Sequence, residues 1–510
     1  MWKKALSFLL LASLIFLIAA GCEKKPEPVE SSVEELSVAS VEESIEEPKL
    51  FSNLPDRYYD GKTITFLVEG DYMDTYKSVE VVPHEESYEM LNNAIQARND
   101  LVAEKFGVEI EAVRTEAHGD MRSRLRSSAL SGVNEYDIVM PYFGDAASFA
   151  QEGGLYDLRT MENIHYNESY YDQGSVNDLS ILGKNYYVTG DLSLLCYDVT
   201  HVMVFNKGLI EQYHLESPYD LVNNGDWTID KLQEMAKAVQ MEVDGEDGMG
   251  YLDQYGFLVN NNFTSSMFIG AGQRFTGKNE EDKPVITVYS EESVAVFNRI
   301  FDLINDQNAT GKIDFASGGF WVTSSRAGKN IWTAANDSFG NGLSLFRAIS
   351  LNGILKIGEY DCSFGLLPAP KLNKQQDRYY TRVSTIYGSC VAIPVNVEDA
   401  EMSSIILDAM MQASTDTVRV AYFDVIMKER KIQDYESEKM LDVILDSRVY
   451  DYGSVYNWGQ SAHGYTQFTS FMDFIAFNGT NTFVSTWESI ATAVQTDLDA
   501  TVAIYEAAVQ

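Results

Sequence analysis

The stretch "YDIVMPYFGDAASFAQEGGLYDL", Tyr136 to Leu158, decides how the chain is read. Its opening, "YDIVMPYFGD", reads as a strand. The strand runs into a loop at Tyr142–Asp145, and a short helix is expected from Ala146, with Gly153 and Gly154 as its stop. A strand followed at once by a helix is the unit of an α/β domain with a mainly parallel sheet. The same unit recurs upstream. "KTITFLVEG" (Lys62–Gly70) is a β-branched strand, and "SYEMLNNAIQARNDLVAEKFG" (Ser87–Gly107) carries Met90, Leu91, Ala94, Ile95, Leu101 and Val102 near helical spacing. "VEIEAV" is a further strand, and "MRSRLRSSALSG" a basic-faced helix ending at Gly132. In such sheets ligands gather beyond the carboxyl ends of strands. That rule places Glu69, Gly70, Tyr142, Phe143 and Asp145 at a candidate site.

Downstream, Gly183–Leu215 predicts two extended runs and a helix. In "NNGDWTIDKLQEMAKAVQ", Thr228 is the expected N-cap, with Lys231 where a capping box has Glu. Met241–Tyr289 is expected to be loop-rich, and the C-terminal third mostly helical. At 510 residues the chain is long enough for two or three domains. The formal net charge of -38 repels phosphate backbones, which argues against nucleic-acid binding.

Lys3 and Lys4 precede a nearly all-apolar run, Ala5–Ala20, that ends in "AAGC". The run is short for a membrane span and has the small residues of a signal-peptide cleavage site. A cysteine directly after them resembles a bacterial lipobox, in which Cys22 receives a diacylglycerol, with Ala19 where the pattern more often has Leu. Residues 1–21 are then a signal peptide, and the alternative is an uncleaved anchor. Residues 22–50, rich in Glu, Ser, Val and Pro, are expected to be a disordered acidic tether that holds the folded body off the membrane. Cys196, Cys362 and Cys390 remain, an odd number without metal spacing, and are expected to be buried thiols.

The chain resembles the extracellular solute-binding proteins of ABC importers, in the group that handles sugars and oligosaccharides. The resemblance rests on "MLNNAIQARNDLVAEKFGVEI", the opening stretch, "GKNYYVTGD", "VFNKGLIEQYHLESPYDLVNNGDWTIDKL", "NGLSLFRAI", "FGLLPAPKLNKQQDRYYT" and "KIQDYESEKMLDVI", in that order. It looks like the clostridial-type branch. The resemblance implies a two-lobe α/β periplasmic-binding-protein-like fold of type II, with lobes joined by hinge strands around an interlobe ligand cleft. Crossings are expected near Tyr186–Asp191, Thr385–Cys390 and Arg430–Asp434. Lobe 1 would be 60–188 plus 388–432, and lobe 2 would be 189–386 plus 433–510. It also implies capture of a carbohydrate, delivery to permease subunits, a lipid anchor on the extracytoplasmic face of the cell membrane, a monomer, and no cofactor.

Sugar sites combine flat aromatic faces with hydrogen-bonding carboxylates, amides or arginines. Trp321 and Trp332 lie in a Gly/Ser-rich region and Trp458 in "YDYGSVYNWGQSAHGYTQF"; each either lines the cleft or packs a lobe. Trp227, at a helix start, is read as structural. Glu69, Tyr142 and Asp145 follow strand ends; the two carboxylates either accept sugar hydroxyls or are solvated loop acids. Asp191 and Tyr387 sit at expected crossings and either face the cleft or stabilise the hinge. "GQRFTGKN" fails as a phosphate loop because Asn279 replaces the Ser/Thr. "DGEDGMGYLD" (Asp244–Asp253) lacks the alternating ligands and terminal Glu of a calcium loop, although weak calcium binding there stays open. "GQSAHG" is not a nucleophile elbow, because His463 displaces the second glycine. The leading function is therefore a non-enzymatic carbohydrate-binding lipoprotein. A binding protein for another ligand such as a peptide or a modified sugar, and a secreted glycoside hydrolase with paired carboxylates, are the alternatives; a cleft with few aromatics and a positive focus would favour an anionic ligand, against which the bulk acidity argues mildly.

Overall fold

The computed structural model describes residues 49–70, 76–117, 119–243, 245, 249–250, 252–313, 331–428 and 434–508. The chain divides into two units, 1–49 and 50–510, and the sheets and helices below all belong to the second. Trp321, Cys22, half of the Asp244–Asp253 loop and the expected crossing at Arg430–Asp434 up to residue 433 fall outside the described residues.

The first sheet has β1 (Lys62–Val68) at its centre, flanked in parallel by β2 (Val108–Arg114) and β3 (Ile138–Met140). The segment 389–394 extends it, running antiparallel to β3 through the pairs Val139–Ala392 and Tyr142–Ser389, and Val188 in turn pairs with Val391. Period-two alternation sorts these residues to two faces. Phe66, Val68, Ile138 and Met140 join Ile405 and Met410 of the helix Ala400–Thr415 in one core. Leu67, Val139 and Ala392 join Met121, Leu125 and Phe149 in another. Burial on both faces explains why these strands read as continuous apolar runs.

The second sheet is built from β4 (His201–Asn206), β5 (Tyr255–Asn260), β8 (Thr310–Ile313), β9 (Ser344–Ser350) and β10 (Phe364–Leu367) in the order β10-β4-β9-β5-β8. A hairpin of β6 (Thr276–Lys278) and β7 (Pro284–Ile286) and a parallel pair of β11 (Thr381–Arg382) and β12 (Arg448–Val449) lie outside it. β4 is antiparallel to β9 and β10, whereas β5 is parallel to β8 and β9. The carboxyl ends of the other four strands therefore share the edge at which β4 begins. The helix Ile229–Val239 packs directly on β5, where a Cβ added to Gly256 would meet the Ala236 carbonyl oxygen at 2.1 Å. Thr228 caps that helix by accepting the Lys231 N–H at 3.3 Å. Trp227 is fully buried beside it and donates its indole N–H to the Pro368 carbonyl at 3.1 Å.

Two stretches that link the sheets lie within the described residues. The chain leaves the first after Val188 and reaches the second at Thr200, which pairs with Val383; it returns between Val383 and Ser389. The edge where β4 begins thus adjoins the carboxyl edge of β1 and β3.

The region Met241–Tyr289 is loop-rich as expected, yet it also holds β5 and the helix Phe263–Gly270. Every residue of both is buried, so no alternation marks them as a strand or an amphipathic helix. The helix after β3 begins at Phe143 rather than Ala146. Tyr142 is extended, and its carbonyl already accepts the Ala146 N–H at 3.0 Å, which places Asp145 in the first helical turn. Among the described residues no helix is long and apolar enough to cross a membrane.

Candidate ligand-binding cleft

Four of the expected site residues meet beyond the ends of β1 and β3. Glu69, 1% exposed, accepts the backbone N–H of Tyr142 at 3.0 Å. Burial pushes its carboxyl up to about 8, against the lowering effect of that hydrogen bond, so the acid is largely protonated at neutral pH. The Tyr142 hydroxyl donates to the Tyr76 carbonyl at 3.0 Å. Tyr76 stacks on Tyr387, with centroids 4.4 Å apart, and Tyr387 lies edge-on to Tyr142 at 6.2 Å. Asp145 is held by Arg122 at 2.6 Å. The group is an aromatic surface at the sheet edge, with Glu69 as a buried brace for Tyr142 beneath it.

Asp191 belongs to a second place on the same edge. It accepts from the Tyr197 hydroxyl at 2.6 Å and the Thr415 hydroxyl at 2.8 Å, with Arg419 at 3.7 Å. Burial raises its pKa, with Arg419 opposing. Here a cavity of about 550 Å³ opens between the segment Ser169–Asp178 on one side and Arg274, Tyr380 and Leu445–Val449 on the other. That volume is within the range of small-molecule sites. One wall is pinned to the other by Arg448 and Asp172, 2.6 Å apart and both buried. Asp172 also accepts from the Tyr450 hydroxyl at 2.6 Å, and Asp178 accepts the Tyr450 N–H at 3.0 Å. The arginines and Tyr380 carry no periodicity and were not singled out in the sequence, although "RYYTR" (Arg378–Arg382), with basic residues bracketing tyrosines, is the pattern that marks them. A shallower depression of about 390 Å³ lies against Trp487 and Gln495, bounded only by β7 and the helix Phe483–Ala507.

Trp458 is elsewhere. Trp458 is 1% exposed in the core of the second sheet's side, stacked on Tyr456 at 5.6 Å, and its indole N–H reaches the Thr501 hydroxyl at 2.9 Å. It packs rather than faces either place on the edge. Trp332 is 44% exposed on the helix Ile331–Gly340. In the acidic loop, Asp253 accepts the N–H groups of Val243 and Gly250. Among the described residues no group of three or more potential metal ligands occurs.

Residues 96–420, more than half of the chain, match the family described as bacterial extracellular solute-binding protein. The chain belongs to that family. Its members are binding proteins, not enzymes, so the hydrolase alternative falls. Solved structures agree on the fold. This solute-binding protein is similar to UspC from Mycobacterium tuberculosis, with a TM-score of 0.55 at 14% identity over 85% of this chain and 100% of that one. It is similar to UgpB from M. tuberculosis, solved in complex with glycerophosphocholine, with a TM-score of 0.54 at 15% identity over 87% and 100%. It is also similar to RafE from Streptococcus pneumoniae, with a TM-score of 0.51 at 13% identity over 86% and 99%. At these identities the likeness is one of architecture: two α/β domains of the periplasmic-binding-protein type. No curated protein matches the sequence.

Proposed function

We propose that this solute-binding protein captures a carbohydrate between its lobes and delivers it to the permease of an ABC importer. The observation that carries the reading is the cavity of about 550 Å³ beside Asp191, walled by chain from both sides of the links between the sheets. Lobe 1 is 60–188 plus 388–432, and lobe 2 is 189–386 plus 433–510. The tyrosines 76, 142 and 387 supply ring faces at the neighbouring edge, the surface on which the C–H faces of pyranoses stack. Closure of the lobes on the ligand presents both outer surfaces to the permease at one spacing. Cys22 carries the lipid, and the tether 22–50 sets the standoff from the extracytoplasmic face of the membrane.

The test is a thermal-shift panel of mono- and oligosaccharides on the full chain in detergent, with product analysis of each hit. A rise in melting temperature with the sugar recovered intact is expected, because a ligand of the native state stabilises it by mass action. Peptide hits with silent sugars would replace the carbohydrate by a peptide. For the anchor, Cys22→Ser is expected to abolish incorporation of labelled palmitate.

A further inference from the structure

We infer that the cavity beside Asp191 recognises an oxyanion, a carboxylate or sulfate carried on a sugar ring, through Arg274 and Arg378. The inference rests on the proposed carbohydrate site and names its ligand class. Four arginines line this cavity, in a chain whose net charge is -38. Two are already neutralised: Arg448 by Asp172 at 2.6 Å, and Arg419 through its longer contact with Asp191. The other two form no ion pair among the described residues; the one side-chain hydrogen bond of Arg274 goes to the Gln273 carbonyl at 3.0 Å.

Instead both lie over one ring. The Arg274 guanidinium lies 4.3 Å and the Arg378 guanidinium 5.0 Å from the centroid of Tyr380. Stacking on a tyrosine face fixes the plane of a guanidinium and leaves its edge donors for an acceptor in that plane. A carboxylate or sulfate matches this fork with paired charge-assisted hydrogen bonds. A neutral hydroxyl gains less from the same donors. Of the carboxylates facing the cavity, Asp178 acts electrostatically on Arg274 without forming an ion pair, and none pairs with Arg378. Asp172 and Asp191 are engaged as above, and Asp178 accepts the Tyr450 N–H, with burial raising its carboxyl to about 6. Asp446 is exposed at the rim. The acidic exterior slows the approach of any anion, so specificity resides in the cavity rather than in long-range steering.

The test titrates the full chain in detergent, by calorimetry, with trigalacturonate, with a chondroitin 4-sulfate disaccharide and with maltotriose as the neutral control. The Arg378→Gln variant is run alongside; this side chain is exposed, so the fold tolerates the change. At least one anionic sugar is expected to bind about tenfold or more tighter than maltotriose, and R378Q to weaken it about 10- to 100-fold. Equal or tighter maltotriose binding, or no effect of R378Q, overturns the inference and leaves the carbohydrate function standing. Silence from every sugar removes the carbohydrate function. The anion site is then judged by soaking crystals in tungstate: an anomalous peak between Arg274 and Arg378 keeps it, and an empty fork overturns it.

Discussion

Glu69 shows how a strand-end acid is turned into a brace. With the carboxyl 1% exposed and its pKa raised to about 8, the folded state favours the neutral acid. The unfolded chain titrates near 4.3. The contribution to stability is therefore complete below about pH 4 and is lost as pH rises through about 8. Glu80 and Asp198, raised by burial to about 7, and Asp473, raised to about 6, act in the same direction. The melting temperature is expected to fall between pH 5 and pH 8.5. Glu69→Gln keeps the acceptor for the Tyr142 N–H and removes the titration, so its melting temperature should fall less over that range. Parallel pH profiles of the two proteins would rule this account out. The residue types were legible in the sequence and their duties were not. Glu69, Tyr142 and Asp145 were placed correctly beyond strand ends by the parallel-sheet rule. That the acids would be consumed by Tyr142 and by Arg122 depends on partners far along the chain, 73 and 23 residues away, which no local pattern encodes.

The helices and strands are joined by a few close approaches that the sequence marks only with small or aromatic residues. Gly256 lies within β5 against the Ala236 backbone, so Gly256→Ala has to separate strand and helix. Chemical denaturation should register a loss of about 3 kcal/mol. Gly132→Ala is the control, since no atom lies within 4 Å of its Cβ position; only its φ of 66° is strained, at about 1 kcal/mol. Similar losses for both would mean that the helix slides freely on the strand. Trp458→Ala should cost about 3–5 kcal/mol of stability and leave sugar affinity intact, because the indole fills a core and binds Thr501. An affinity loss in a folded variant would return Trp458 to the cleft. The same features explain what could be read in advance. β1, β3 and the helix Glu89–Phe106 announce themselves by β-branched runs and helical spacing. The segment "YGFLVN" has no polar residue between its buried side chains until Asn260, and glycine lowers its strand propensity, so this inner strand of the second sheet does not stand out from the loop-rich region around it.

At the scale of the whole molecule, the two sheets meet along a line crossed by Val188–Thr200 and Val383–Ser389, with the buried Arg448–Asp172 pair bridging the walls of the cavity beside it. On the proposed function, that pair is expected to tie binding to closure. In a closed molecule both charges are desolvated, and each is held by the other; when the walls part, water replaces the partner at little cost. Removing one member leaves the other buried and uncompensated only in the closed form. Asp172 keeps the Tyr450 hydroxyl and the Ser175 N–H when the arginine is lost, whereas Arg448 has no second carboxylate at ion-pair distance among the described residues. Asp172→Asn should therefore open the molecule more than Arg448→Met does. Small-angle scattering reads this directly. The wild-type chain with a saturating sugar from the panel is expected to show the smallest radius of gyration. R448M is expected to approach it when liganded, and D172N to stay expanded and bind about tenfold more weakly, since a competent state that is less populated lowers apparent affinity in proportion. If D172N closes as fully as the wild type, the salt bridge is a static element of the wall and the hinge is set without it.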